Sequence, residues 1–175
     1  VLGSGVTERT YGAHLKFLRS LFTVLKDQAG IVENPFDGLT VPELQTQSRE
    51  AFTAQELATI CAGAAGDWRY LVGIGIYTGL RLTDAAHLKW ENIGDRITVQ
   101  PAKVARRKKD GTVEIPIHPV LAGLLAELRE VRGGADKGHL FPDFVKAYKA
   151  DRASVSAAFG ALLTTLGIVT TAEEA

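Results

Sequence analysis

The chain has 175 residues, 46% of them apolar, with 20 lysines and arginines balanced by 20 aspartates and glutamates. This is the composition of an ordinary globular protein, with room for one good core or for one domain and part of another. A formal net charge of zero excludes a global pull toward nucleic acid, so any such binding has to come from local clusters of charge.

Val1 to Val6 is rich in glycine and serine and reads as a frayed end. Thr7 is placed to cap a helix running to about Ala29, with Tyr11, Leu15, Leu18, Phe22 and Leu25 forming one apolar stripe and Gly30 the stop. Lys16, Arg19 and Lys26 lie off that stripe and are expected to face water or a partner. From Ile31 to Ala51 the periodicity fades, Asn34-Pro35 and Pro42 punctuate the chain, and the stretch reads as a linker.

Thr53-Ala-Gln-Glu56 is a capping box and predicts a helix to about Ala62, the start of the main domain. Cys61, the single cysteine, falls in this helical pattern and reads as a small core residue that cannot form an internal disulfide. Asp67 is expected to cap the next helix, whose apolar run Tyr70–Tyr77 ends at Thr78-Gly79. Arg81 follows at once, and Thr83 is placed to cap a short helix that turns Leu82, Ala86 and Leu88 inward. A guanidinium at such a corner is costly to bury unless an anion or an acid meets it. On the residues alone, Arg81 is either a phosphate ligand or a structural arginine paired with Asp84 or Glu56.

Alternation predicts strands over Arg96–Gln100 and Thr112–Ile117, close enough in sequence for an antiparallel hairpin, with Asp110-Gly111 as a turn signal. The connecting stretch carries Lys103, Arg106, Arg107, Lys108 and Lys109, five cations within seven residues. Pro119 suits the first turn of a helix to about Val131, ended by Gly133-Gly134. His139-Leu140-Phe141-Pro142 reads as a short buried connector. Ser154–Leu166 predicts a last amphipathic helix with Val155, Ala158, Phe159, Leu162, Leu163 and Leu166 inward, capped by Gly167. The fold class expected is mainly α with one small antiparallel β-hairpin (α+β).

Four histidines carry little signal. His87 reads as a packed or half-exposed structural residue and His118 as a strand end, while His14 and His139 have no acidic or cysteine partners at metal spacing. No metal site and no cofactor are expected. Gly73-Ile-Gly75-Ile-Tyr-Thr-Gly79 misses a dinucleotide fingerprint by one residue, lies in a helical run and lacks the preceding strand. No run of about 18 apolar residues or signal peptide is visible.

The stretch Thr78, Gly79, Leu80, Arg81, Asp84, Leu88, Trp90 and Ile93 resembles the first arginine box of the tyrosine recombinases, the phage-integrase family. The order helix, helix, arginine corner, hairpin, helix, helix is that of the family's catalytic domain. Asn34-Pro-Phe36 resembles the end of its core-binding domain, and the resemblance runs from about Thr7 to Ile168. It implies residues 1–38 as the C-terminal part of a helical, SAM-like core-binding domain, 39–51 as a linker, and 52–175 as the N-terminal portion of the catalytic domain.

The resemblance further implies that Arg81 is the first arginine of a phosphate cradle, where a planar fork meets two non-bridging oxygens. Asp84 would support it. Lys103 resembles the hairpin lysine that protonates the leaving 5′ oxygen, with Lys108 and Lys109 competing for the role. Arg106, Arg107, Lys108 and Lys109 would grip the DNA backbone, with Arg49, Lys16 and Arg19 extending the track.

The family also uses a His-x-x-Arg box, a later His or Trp, and a nucleophilic tyrosine. This sequence has no His-x-x-Arg, and none of Tyr11, Tyr70, Tyr77 and Tyr148 follows such a box. No nucleophile is assigned. The chain opens on Val1 rather than a start methionine and reads as a fragment at both ends, incapable of strand cleavage by itself. The implied partners are double-stranded DNA and further recombinase protomers, with no membrane partner. The fragment alone is expected to be monomeric, and the implied location is the cytoplasm, with the nucleoid. The alternatives are a DNA-binding integrase-like module that does not cut, and a helical protein-interaction domain with no DNA role.

Overall fold

The computed structural model describes residues 6–40, 51–101 and 111–168, in two compact units, Val1–Ser48 and Arg49–Ala175. In the first unit, helix α1 (Glu8–Leu25) opens on Thr7, whose Oγ1 accepts from the Thr10 N–H at 3.3 Å. Leu15 is buried, Tyr11, Leu18 and Phe22 are half-buried, and Leu25 is exposed. Residues 31–40 do not behave as a free linker. They fold back on α1, with the Phe22 and Phe36 rings edge to face at 5.0 Å. Asn34 Nδ2 donates to the Arg19 carbonyl at 2.9 Å, and Asn34 Oδ1 accepts from the Phe36 N–H at 3.1 Å. One asparagine thus ties the turn to the helix and shapes the turn itself.

The second unit begins with α2 (Ala54–Gly63). Its capping box closes as its sequence predicts: Thr53 Oγ1 accepts from the Glu56 N–H, and the Glu56 carboxylate accepts from the Thr53 N–H at 2.7 Å. That backbone bond, with the Thr53 hydroxyl second, holds the Glu56 carboxyl below its ordinary range. Cys61 is exposed rather than in the core, because Ile60 takes the inward position of this turn.

Helix α3 (Asp67–Thr78) starts from Gly66 at φ 56°, not from Asp67 as a cap. Asp67 is the first helical residue. Its two carboxylate oxygens accept from Arg132 Nη2 at 2.7 and 2.6 Å, while Arg132 Nε reaches the Leu140 carbonyl at 3.3 Å. A short α4 (Leu82–Ala86) follows. A single 3-10 turn at Trp90–Asn92 leads into β1 (Arg96–Val99), which pairs antiparallel with β2 (Val113–Pro116). The register sets Ile97 opposite Ile115 and Val99 opposite Val113, and turns Ile97 and Val99 into the core.

Helix α5 (Pro119–Val131) carries Pro119 in its first turn. His118 is its N-cap rather than a strand end: Nδ1 accepts from the Val120 N–H at 3.2 Å, and the ring stacks on Tyr77 at 4.7 Å. The connector after it is buried at Leu140 and Phe141, and it pairs with the segment after α4 through Leu140 N–H to the Leu88 carbonyl and Trp90 N–H to the Gly138 carbonyl, both 2.9 Å. Helix α6 (Pro142–Ala150), absent from the sequence-based expectation, follows directly and buries Val145 and Tyr148. Helix α7 (Ser154–Thr165) buries Val155 and Leu163, while Ala158 faces outward. Ile168 closes a small cluster with Ile60 and Leu163.

The main core gathers Leu71, Ile74, Ala86, Leu88, Trp90, Ile97, Leu121, Leu128, Leu140, Phe141 and Tyr148, with the partly buried Ile115 of β2 packed against it. The Arg129 guanidinium covers the Trp90 ring at 5.0 Å. Among the described residues no helix is long and apolar enough to cross a membrane.

Two glycines of α3 separate packing from propensity. A Cβ on Gly75 meets nothing within 4 Å, whereas one on Gly73 lies 2.6 Å from Leu124 Cδ1. Gly75→Ala is therefore expected to raise stability by about 0.5–1 kcal/mol. Gly73→Ala gains less or loses, because Leu124 has to turn. Urea unfolding of the two variants checks this, and equal gains would contradict it.

Candidate functional site

The corner between α3 and α4 is built from backbone geometry. Gly79 ends α3 in the left-handed region at φ 65°, its N–H bonded to the Gly75 carbonyl at 3.0 Å. Thr78 Oγ1 donates to the Ile74 carbonyl at 2.6 Å and accepts from the Leu80 N–H at 3.2 Å, which stiffens the exit. Arg81 then adopts an extended conformation (φ −62°, ψ 148°) and is itself the N-cap position of α4. Thr83 does not cap α4. It lies inside the helix, where its hydroxyl meets the Tyr148 hydroxyl at 3.3 Å.

Leu80 and Leu82 pack against the core on either side, which leaves the residue between them turned outward. The Arg81 side chain is 58% exposed, and Nη1 lies 3.8 Å from Asp84 Oδ2, on a carboxylate that is 9% exposed. The burial cost anticipated for this guanidinium is therefore not incurred. Asp84 steadies Arg81 from beneath, while Glu56 is occupied with Thr53.

Helix α4 divides two clefts. On one side Leu80, Leu82 and Ala85 share an apolar cleft of about 340 Å³ with Leu57, Trp68 and Phe159. On the other, Thr83, Asp84, His87, Lys89, Asn92 and Gln100 line a polar cleft of about 440 Å³. The polar side is braced at several points. His87 Nδ1 donates to the Thr83 carbonyl at 2.8 Å, and His139 Nδ1 to the His87 carbonyl at 3.2 Å. Asn92 ties the Lys89 N–H (2.9 Å) to the Thr98 carbonyl (3.0 Å), fastening the segment after α4 to β1. Glu91 is held below its ordinary range chiefly by its own backbone N–H, against the upward push of burial. The Gly138 N–H and the Lys89 and Lys137 ammonium groups add to the downward pull.

Gln100 follows the end of β1 and lines the polar cleft. Lys103, Arg106, Arg107, Lys108 and Lys109 lie outside the described residues, as does Arg49. Lys16 is exposed on α1. Arg19 does not face open water: its guanidinium donates to the Phe36 carbonyl at 3.0 Å and the Leu39 carbonyl at 2.7 Å, and pairs with Asp37 at 3.6 Å. Its Nε and Nη2 hold residues 36–39.

Three tyrosines of the second unit have structural settings. The Tyr70 hydroxyl donates to Glu127 at 3.2 Å and is pushed above its ordinary range by burial, with the Glu127 carboxylate adding to the effect. Tyr77 stacks on His118, and Tyr148 bonds Thr83. Among the described residues no group of three or more His, Cys, Asp or Glu is placed to hold a metal ion.

No protein-family model matches the sequence, and no curated protein matches it. A solved structure with a similar fold is the integrase from mycobacterium phage Brujita, with a TM-score of 0.56 and 20% sequence identity. The similarity covers 96% of this chain and 55% of that one, so the chain spans about half the length of the integrase it resembles. At this identity the match establishes a shared mainly helical fold with a two-stranded antiparallel sheet.

An outward arginine with a weak ion pair contributes little to folding. Arg81→Ala is expected to change the unfolding free energy by less than about 1 kcal/mol. Leu88→Ala, which empties a core position next to the same helix, should cost about 2–5 kcal/mol. Chemical denaturation of both variants checks the contrast; a loss at Arg81 as large as that at Leu88 would make Arg81 structural.

Proposed function

We propose that this chain is the DNA-phosphate-binding part of a site-specific recombinase of the integrase type. The observation that carries the reading is Arg81: a guanidinium more than half exposed, steadied by an acid one turn on, at a rigid corner of an integrase-like fold. An arginine so presented, and not needed to hold the core, suits a phosphodiester whose non-bridging oxygens gain charge during transfer. Arg81 ligates the scissile phosphate. Asp84 fixes the guanidinium and takes no part in the chemistry.

Lys103 is the proposed general acid, giving a proton to the leaving 5′ oxygen. Lys108 and Lys109 remain the competitors for that role. Arg106, Arg107, Lys108 and Lys109 grip the backbone, and Arg49 and Lys16 extend the track. Cleavage through a 3′-phosphotyrosine needs a second arginine box, which this sequence does not contain, and a tyrosine after it, so that step is proposed for a longer protein acting with further protomers on paired sites. In the second reading, a module that occupies DNA without cutting, Arg81 and the basic stretch make the same contacts.

Duplex-DNA binding across a salt series tests the shared claim. Wild type is expected to bind with a steep salt slope. The variant with Arg106, Arg107, Lys108 and Lys109 all changed to alanine should lose affinity and about three to four units of slope. Equal slopes would remove the basic stretch from the interface. A covalent DNA adduct formed by a protein that includes the downstream sequence would separate the cutting reading from the occupying one.

A further inference from the structure

We propose that the polar cleft beside Arg81 is a second phosphate subsite, in which His87 Nε2 and Lys89 Nζ receive another phosphodiester of the DNA strand that Arg81 holds. The inference rests on the reading of Arg81 as a DNA-phosphate ligand. It starts from the state of the His87 ring. A carbonyl only accepts, so the 2.8 Å contact to Thr83 puts the proton on Nδ1. Nε2 makes no hydrogen bond among the described residues and is the nitrogen left for a ligand.

The ring does not turn freely. Tyr148 of α6 lies against it at 5.2 Å, the His139 ring of the connector meets it edge-on at 6.2 Å, and His139 Nδ1 holds the His87 carbonyl. Lys89 stands exposed on the same cleft, its backbone fastened to β1 through Asn92. Of the acids nearby, Asp84 lines the cleft and pairs with Arg81, and Glu91 accepts from the Gly138 N–H at 3.0 Å.

Asp84 links the two places, because it pairs with Arg81 and also lines the cleft that holds His87 and Lys89. Histidine changes charge between about pH 5 and 8, and a phosphate on Nε2 favours the protonated ring. Binding then takes up a proton and tightens as pH falls. The groups facing His87 are Asp84 and Lys89 from its own segment, His139 from the connector and Tyr148 from α6.

Fluorescence anisotropy with a labelled random-sequence duplex, at fixed ionic strength, reads this directly. Wild-type affinity should rise about three- to tenfold between about pH 8 and pH 6. His87→Asn keeps a donor near the Thr83 carbonyl but removes Nε2, and should abolish most of that rise. His14→Asn, a change at an exposed position of α1 outside the cleft, should retain it. Lys89→Gln, an exposed change with little bearing on folding, should lower the salt slope by about one. A wild-type pH dependence persisting in His87→Asn, or lost in His14→Asn, would overturn the subsite while leaving Arg81 as a phosphate ligand. Absence of wild-type binding even at low salt would overturn both.

Discussion

The left-handed turn at Gly79 is the constraint on which the candidate site depends. Helix α3 is held in the core by Leu71 and Ile74, and it has to stop where a second buried helix can start. A residue with φ near 65° does this in one step, and the Thr78 hydroxyl satisfies backbone groups on both sides of it. Leu80 and Leu82 then both find apolar neighbours, so the side chain between them is directed away from the core. The exposure of Arg81 thus follows from packing demands on its neighbours. The guanidinium is presented by a stiff backbone, as an anion ligand needs to be.

A long-range clamp secures the same corner from the far end of α3. Asp67 begins that helix, and Arg132, 65 residues later, grips both its carboxylate oxygens and also takes the Leu140 carbonyl. The start of α3, the end of α5 and the connector to α6 are fixed by one side chain. The connector in turn pairs with Leu88 and Trp90 just after α4. The walls of the polar cleft are therefore set by a closed circuit of contacts from α3 through α5 and the connector back to α4.

Much of this was legible because the signals are local. The Thr53–Glu56 capping box, Pro119 in the first turn of its helix, the alternation of Ile97 and Val99, and Gly79 before Arg81 each state their geometry within about four residues. Where the reading failed, the deciding partner lies far away in sequence. Asp67 gives its carboxylate to Arg132 rather than to its own helix start, and Thr83 meets Tyr148, also 65 residues on. Arg19 is drawn inward by carbonyls at residues 36 and 39. Helix α6 was hidden because its nine residues follow a buried connector without a side-chain cap, although Pro142 and the spacing of Phe144, Val145 and Tyr148 were there to read.

The Gly79 corner is proposed to hold Arg81 against a DNA phosphate. The most direct test is the duplex affinity of Arg81→Ala and Arg81→Lys across salt, set against wild type. A phosphate ligand predicts that alanine weakens binding and lowers the salt slope by about one. Lysine should restore the slope but only part of the affinity, since a point charge cannot replace a fork on two oxygens. Alanine binding DNA as wild type does, with the same slope, would contradict the account.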